Sequence, residues 1–94
     1  MIKPQQVEKE SVEGLKFPSV DVLSSPEEKI RRRIDLERAM RAGNLEKVKY
    51  SIVFEDSEGI KEVRTTIWAT TENNVLLKRN AAIPIHRIFK VAVC

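Results

Sequence analysis

Ninety-four residues, 33% of them charged and 41% apolar, allow one soluble domain with a small core. The net charge of +3 is only mildly basic, without the concentrated patch that usually marks a nucleic-acid binder. No apolar run approaches the ~18 residues of a membrane span, the first residues lack the apolar segment of a secretory signal, and the single cysteine, Cys94, excludes an internal disulfide framework, so a cytoplasmic protein follows by default.

Residues 1–24 read as a flexible arm. Pro4 and Pro18 resist regular structure and Gly14 adds freedom. Its apolar residues are too sparse for a core of their own, and disorder is expected up to about Glu13. The stretch Phe17–Leu23 is expected to dock, on the domain or on a partner.

The folded domain is expected over residues 25–94, beginning with a helix from Pro26 to about Ala42. Ser25 supplies the N-cap, Pro26 suits the first helical position, and Glu28 completes a capping box. Gly43-Asn44 reads as the left-handed stop. The helix carries Lys29, Arg31, Arg32, Arg33, Arg38 and Arg41. Most have an acidic neighbour on the same surface: Glu27–Arg31, Glu28–Arg32 and Glu37–Arg41 at i,i+4, and Asp35–Arg38 at i,i+3. A solvated helix laced with local ion pairs is expected, with an arginine surface for RNA or an acidic protein as the competing reading.

From Val48 onward the hydrophobic period falls to two. Val48, Tyr50, Ile52 and Phe54 share the inner face of a first strand, about Val48–Glu55. Asp56-Ser57-Glu58-Gly59 is a hairpin turn. The second strand is expected to run unbroken over Ile60–Thr70, with Val63, Thr65, Ile67 and Ala69 on one face and Glu62, Arg64, Thr66 and Trp68 on the other. Val75–Lys78, Ile83–Ile85 and Ile88–Val93 complete five short strands, with a tight turn at His86-Arg87. Pro84 places its strand at an edge or bend.

The run Val75-Leu76-Leu77-Lys78, followed by Ile83-Pro84-Ile85-His86-Arg87-Ile88-Phe89-Lys90-Val91, resembles the end of many small bacterial barrels. With a helix in front, residues 26–93 resemble the Sm-like proteins, including the bacterial Rho-termination inhibitor and the RNA chaperone of that fold, and short proteins of Bacteroidetes. The resemblance implies an α+β fold: one N-terminal helix capping a five-stranded antiparallel small β-barrel. The aromatic-lysine-histidine motif of the Sm-like RNA chaperones has no counterpart, since His86 lies between Ile85 and Arg87.

Catalytic chemistry finds little footing. One histidine and one terminal cysteine do not make a zinc site, so no metal or cofactor is expected. No serine lies in a nucleophile-elbow context, and the three glycines form no phosphate loop. Glu55, Asp56, Glu58 and Glu62 read as a charged hairpin. A non-enzymatic binding module is therefore expected. Its partner is a protein, met through Trp68, the helix face and the arm. The alternative is RNA, met on a basic barrel rim of Lys78, Arg79, His86 and Arg87, since phosphates favour cations and bases favour an aromatic platform. Trp68 lies on the polar face of its strand as a stacking or interface anchor, unless a bulge near Ala69 turns it into the core. Pro84 and Lys90 near strand edges argue for a monomer.

Overall fold

Alternation along the strands and a single well-capped helix produce an α+β arrangement, seen in the computed structural model, which describes residues 3–77 and 81–94. In chain order the elements are β1 (Gln5–Gln6), α1 (Lys9–Val12), α2 (Pro26–Glu46), β2 (Tyr50–Glu55), β3 (Ile60–Thr65), β4 (Ile67–Thr70), β5 (Asn74–Leu77), β6 (Ala82–Pro84), a 3-10 turn (Ile85–Arg87) and β7 (Ile88–Val93).

The five-stranded barrel is not what forms. Among the described residues seven strands make two open sheets, ordered β1-β3-β2-β7 and β4-β5-β6. The long second strand is interrupted at Thr66, and its two halves enter different sheets: β3 pairs with β2, while β4 pairs with β5. Closure would need a ladder joining the sheets, and none exists among the described residues. The inward alternation is nevertheless continuous across the break, with Lys61, Val63, Thr65 and Ile67 all buried.

Beneath the two sheets lies one core. Leu36 and Ala39 of α2 meet Ile52, Phe54, Val63, Ile67, Val75, Leu77, Ile83 and Ile88 from the strands. Helix α2 packs on β4 and β7 through one narrow row, Arg32, Leu36, Ala39 and Gly43.

Three local expectations are corrected. The N-terminal segment is not a loose arm. Gln5 and Gln6 pair in parallel with Lys61 and Glu62 of β3. Val12 is buried, and Phe17 packs on Phe54 with ring centroids 6.0 Å apart. Backbone bonds fasten Val7 N–H to Glu62 O, Ser57 N–H to Lys16 O, and Val22 N–H to His86 O. Asp21 grips Arg32 through two 2.9 Å hydrogen bonds.

The helix does not stop at Ala42. It continues to Glu46, and Lys47 takes the left-handed cap conformation at φ 56°. Gly43 serves a different purpose. A Cβ there would lie 2.7 Å from the Ile67 carbonyl oxygen and 3.0 Å from Thr66 Cγ2. The glycine lets the helix touch the backbone where β3 hands over to β4.

Nor is α2 laced with local ion pairs. None of the four expected pairs closes within 4.0 Å among the described residues. Arg32 instead pairs with Asp21 and donates to the Ile88 carbonyl at 3.0 Å. Arg33 donates to the carbonyls of Thr71 and Glu72 and so fixes the β4–β5 turn. At the other end of the helix Ser25 Oγ accepts from Glu28 N–H at 3.4 Å, as a cap should.

Candidate functional site: a basic cleft beside Trp68

Trp68 is 56% exposed. The reason lies in the ladder: Ile67 opposes Leu77 and Ala69 opposes Leu76, so Trp68 is the extra residue of a β-bulge. β4 is also an edge strand of its sheet. The bulge anticipated in the sequence exists, but it presents the ring to solvent.

The indole borders a cleft of about 420 Å³ lined also by Lys9, Gly43, Asn44, Lys47, Lys49, Arg64, Thr65 and Thr66. Four cations line it and no carboxylate does. Each comes from a separate place in the fold. Lys9 opens α1, Lys47 caps α2, Lys49 precedes β2, and Arg64 lies on β3. Among the described residues Lys9, Lys47 and Lys49 have no ion-pair partner. Arg64 reaches Glu62 only at 3.8 Å and stays largely exposed.

Two features shape the floor. Gly43 brings the helix end down to Thr66 and Ile67. At the end of α2, Lys47 N–H donates to the Ala42 and Gly43 carbonyls. The cleft therefore offers an exposed aromatic ring and cationic side chains.

The expected basic rim fares differently. Lys78 and Arg79 lie outside the described residues. Arg87 is only 5% exposed and its guanidinium is fully engaged. Its Nε donates to the Glu55 carbonyl at 3.0 Å, Nη2 to Glu55 Oε1 at 2.9 Å, and Nη1 to the Val20 carbonyl at 2.6 Å. His86 Nε2 is 2.9 Å from the Pro18 carbonyl. Both residues fasten the N-terminal segment to the 3-10 turn, and neither lines the Trp68 cleft.

Trp68 is a candidate by sequence, whereas the cations beside it are not. Arg64 was within reach, since Arg64, Thr66 and Trp68 alternate on one strand face. Lys9 and Lys47 were not, because their approach depends on where α1 and the end of α2 pack.

A second charged site is structural. Asp56 and Lys61 are both buried and form an ion pair. Burial pushes the Asp56 carboxyl up, but the Lys61 ammonium and the backbone N–H groups of Glu58 and Gly59 outweigh it and hold the group below its ordinary 3.8. The same bond to Asp56 raises Lys61 against the opposing effect of burial. The Asp21 carboxyl is likewise held low, chiefly by its hydrogen bond to Arg32.

No cluster of three or more metal-ligating side chains exists among the described residues. No helix among them is long and apolar enough to cross a membrane. Comparison with protein-family models, curated proteins and solved structures finds no match to this chain.

Proposed function

We propose that this protein is a non-enzymatic binding module of the cytoplasm that takes single-stranded RNA in the Trp68 cleft. The supporting observation is an exposed indole bordered by Lys9, Lys47, Lys49 and Arg64 with no carboxylate in the lining. Bases stack on an aromatic face whatever their sequence, and cations beside it follow the phosphates. A lone exposed tryptophan would suit many partners, but a carboxylate-free cationic wall around it favours a polyanion.

Trp68 is the chain's one tryptophan and reports directly on its own site. Titration with mixed-sequence single-stranded RNA at low salt should quench its fluorescence. Affinity should fall with added salt, with a log–log slope of about −2 to −3 if three or four phosphates are met. Trp68→Ala, which removes the fluorophore and is followed by electrophoretic mobility shift, should weaken binding by about 10- to 100-fold, since each stacked base contributes roughly 1–3 kcal/mol. Absence of RNA binding at low salt would reject the reading.

A protein partner is the second reading, and one observation favours it: Ile30, Ile34 and Leu45 stand exposed on α2. A pull-down from native lysate with and without nuclease separates the two. Capture that survives nuclease and is lost in Leu45→Asp would favour the protein.

A further inference from the structure

The outer face of the β1-β3-β2-β7 sheet carries a second cleft, of about 540 Å³, which meets the Trp68 cleft at Arg64. Ladder register explains what lies there. Ser51 opposes Arg64 and Ala92, and Val53 opposes Glu62 and Lys90. These side chains share the face turned away from Ile52 and Val63 in the core. Lys3, Arg64 and Lys90 are exposed and bring three cations to the cleft. The one carboxylate in its lining, Glu62, is engaged: it accepts from Gln6 Nε2 and Ser51 Oγ and lies 3.8 Å from Arg64.

A second bulge puts an aromatic residue on this cleft. Val53 opposes Lys90 and Phe54 opposes Ile88, which leaves Phe89 as the extra residue of β7. Phe89 is half-buried and lines the sheet-face cleft, as the extra residue of β4, Trp68, borders the first. β7 runs parallel to β3 with Ala92 level with Arg64. Phe89 therefore lies toward the start of β3 and Trp68 beyond its end, with Arg64 between them. At about 3.3 Å per strand residue and about 4.8 Å between strands, the two aromatic positions are roughly 20–25 Å apart. Past Phe89 the adjoining cleft is lined by Glu27, Glu28 and Asp35, which balance its Arg31, Arg32 and Lys90. The excess of positive charge ends there.

We infer, on the RNA reading of the Trp68 cleft, that the bound strand continues over Arg64 onto this sheet face, where Lys90 meets a phosphate and a base stacks on Phe89. Charge selects the occupant. Cations run from Lys47 and Lys49 through Arg64 to Lys90, and the only carboxylate in either lining already accepts two hydrogen bonds. Val53 and Ile60 give the bases an apolar floor between them, and Lys3 flanks the path as a further cation.

Fluorescence anisotropy of 5′-labelled oligouridylates of three and eight nucleotides, added to the full chain at low salt, tests the longer footprint. A trimer is too short to reach from Trp68 to Phe89. The octamer should bind about 50-fold tighter or more, against about sixfold from its additional registers alone. Its log–log salt slope should be steeper by about 0.7–1.4, as one or two further phosphates are met. Lys90→Glu, at an exposed position, should cost the octamer about tenfold and leave the trimer unchanged. Phe89→Ala should likewise weaken the octamer by about tenfold and spare the trimer, whereas Trp68→Ala should weaken both. Trimer binding without the octamer's gain, or an octamer indifferent to Lys90→Glu, overturns the inference and leaves the Trp68 cleft as the whole site. No binding at either length overturns both.

Discussion

Charged side chains of this small domain, Arg32, Arg33, Asp56, Lys61 and Arg87 among them, take tertiary partners. Arg87 shows why. An arginine left buried without partners would be expelled or would unfold the site, and here two carbonyls and one carboxylate meet its fork. Asp56 and Lys61 follow the same rule at the β2–β3 turn, where Asp56 Oδ1 also accepts from Glu58 and Gly59 N–H. Removing one partner strands the other, so Asp56→Ala should cost about 3 kcal/mol. The pH dependence has a definite sign. Asp21 and Asp56 both ionise more readily in the folded chain than at their ordinary 3.8. The unfolded chain therefore binds protons first as pH falls, and the stability these groups contribute is complete above that value and declines below it. Urea midpoints measured from pH 6 down to pH 2 should drop chiefly below about pH 4. Asp56→Asn should flatten that drop.

At the scale of elements, the N-cap of α2, the Asp56–Gly59 turn and the inward parity from Val63 to Ile67 were all legible in the sequence, because each depends on near neighbours. The end of α2 was not. Gly43 reads as a stop by composition, yet it is helical, and its missing side chain clears the Ile67 carbonyl. What a helix approaches cannot be seen from the helix alone. The arginines teach the same lesson, since spacing pairs Glu28 with Arg32 while the fold supplies Asp21. The barrel expectation failed for a related reason. Alternation names the strands and their faces, but the break at Thr66 sends β3 and β4 to different sheets. Gly43 yields a prediction whose sign separates the two roles. At a solvent-exposed helix position Gly→Ala stabilises by up to about 1 kcal/mol. Here Gly43→Ala should destabilise by roughly 1–3 kcal/mol, because the new methyl meets backbone that cannot swing aside. The same shift should disturb the Trp68 cleft, visible as a change in the emission maximum of that single indole.

At the scale of the whole molecule, the N-terminal segment closes the core that α2 and the strands build. Composition made residues 1–24 read as a flexible arm with a docking stretch at Phe17–Leu23, since prolines, a glycine and scattered apolar residues cannot build a core alone. They need only complete one. Val12 is 1% exposed within the common core, and Val7, Leu15 and Phe17 pack against it. The segment also supplies acceptors to buried cations: Asp21 to Arg32, and the Val20 carbonyl to Arg87. Deleting it would open an apolar gap beside Phe54 and leave both guanidiniums short of partners. It would also remove Lys9 from the Trp68 cleft. A chain beginning at Ser25 should thus lose its cooperative urea transition by far-ultraviolet circular dichroism, with Trp68 emission already at its unfolded position without denaturant. The full chain should unfold in one step. An unchanged midpoint in the shortened chain would show the segment to be an appendage, and would return residues 25–94 to the self-sufficient domain that their alternation first suggested. Milder replacement of Val12 by Ala tests the same packing without truncation, and should lower stability by about 1–3 kcal/mol as a buried cavity forms.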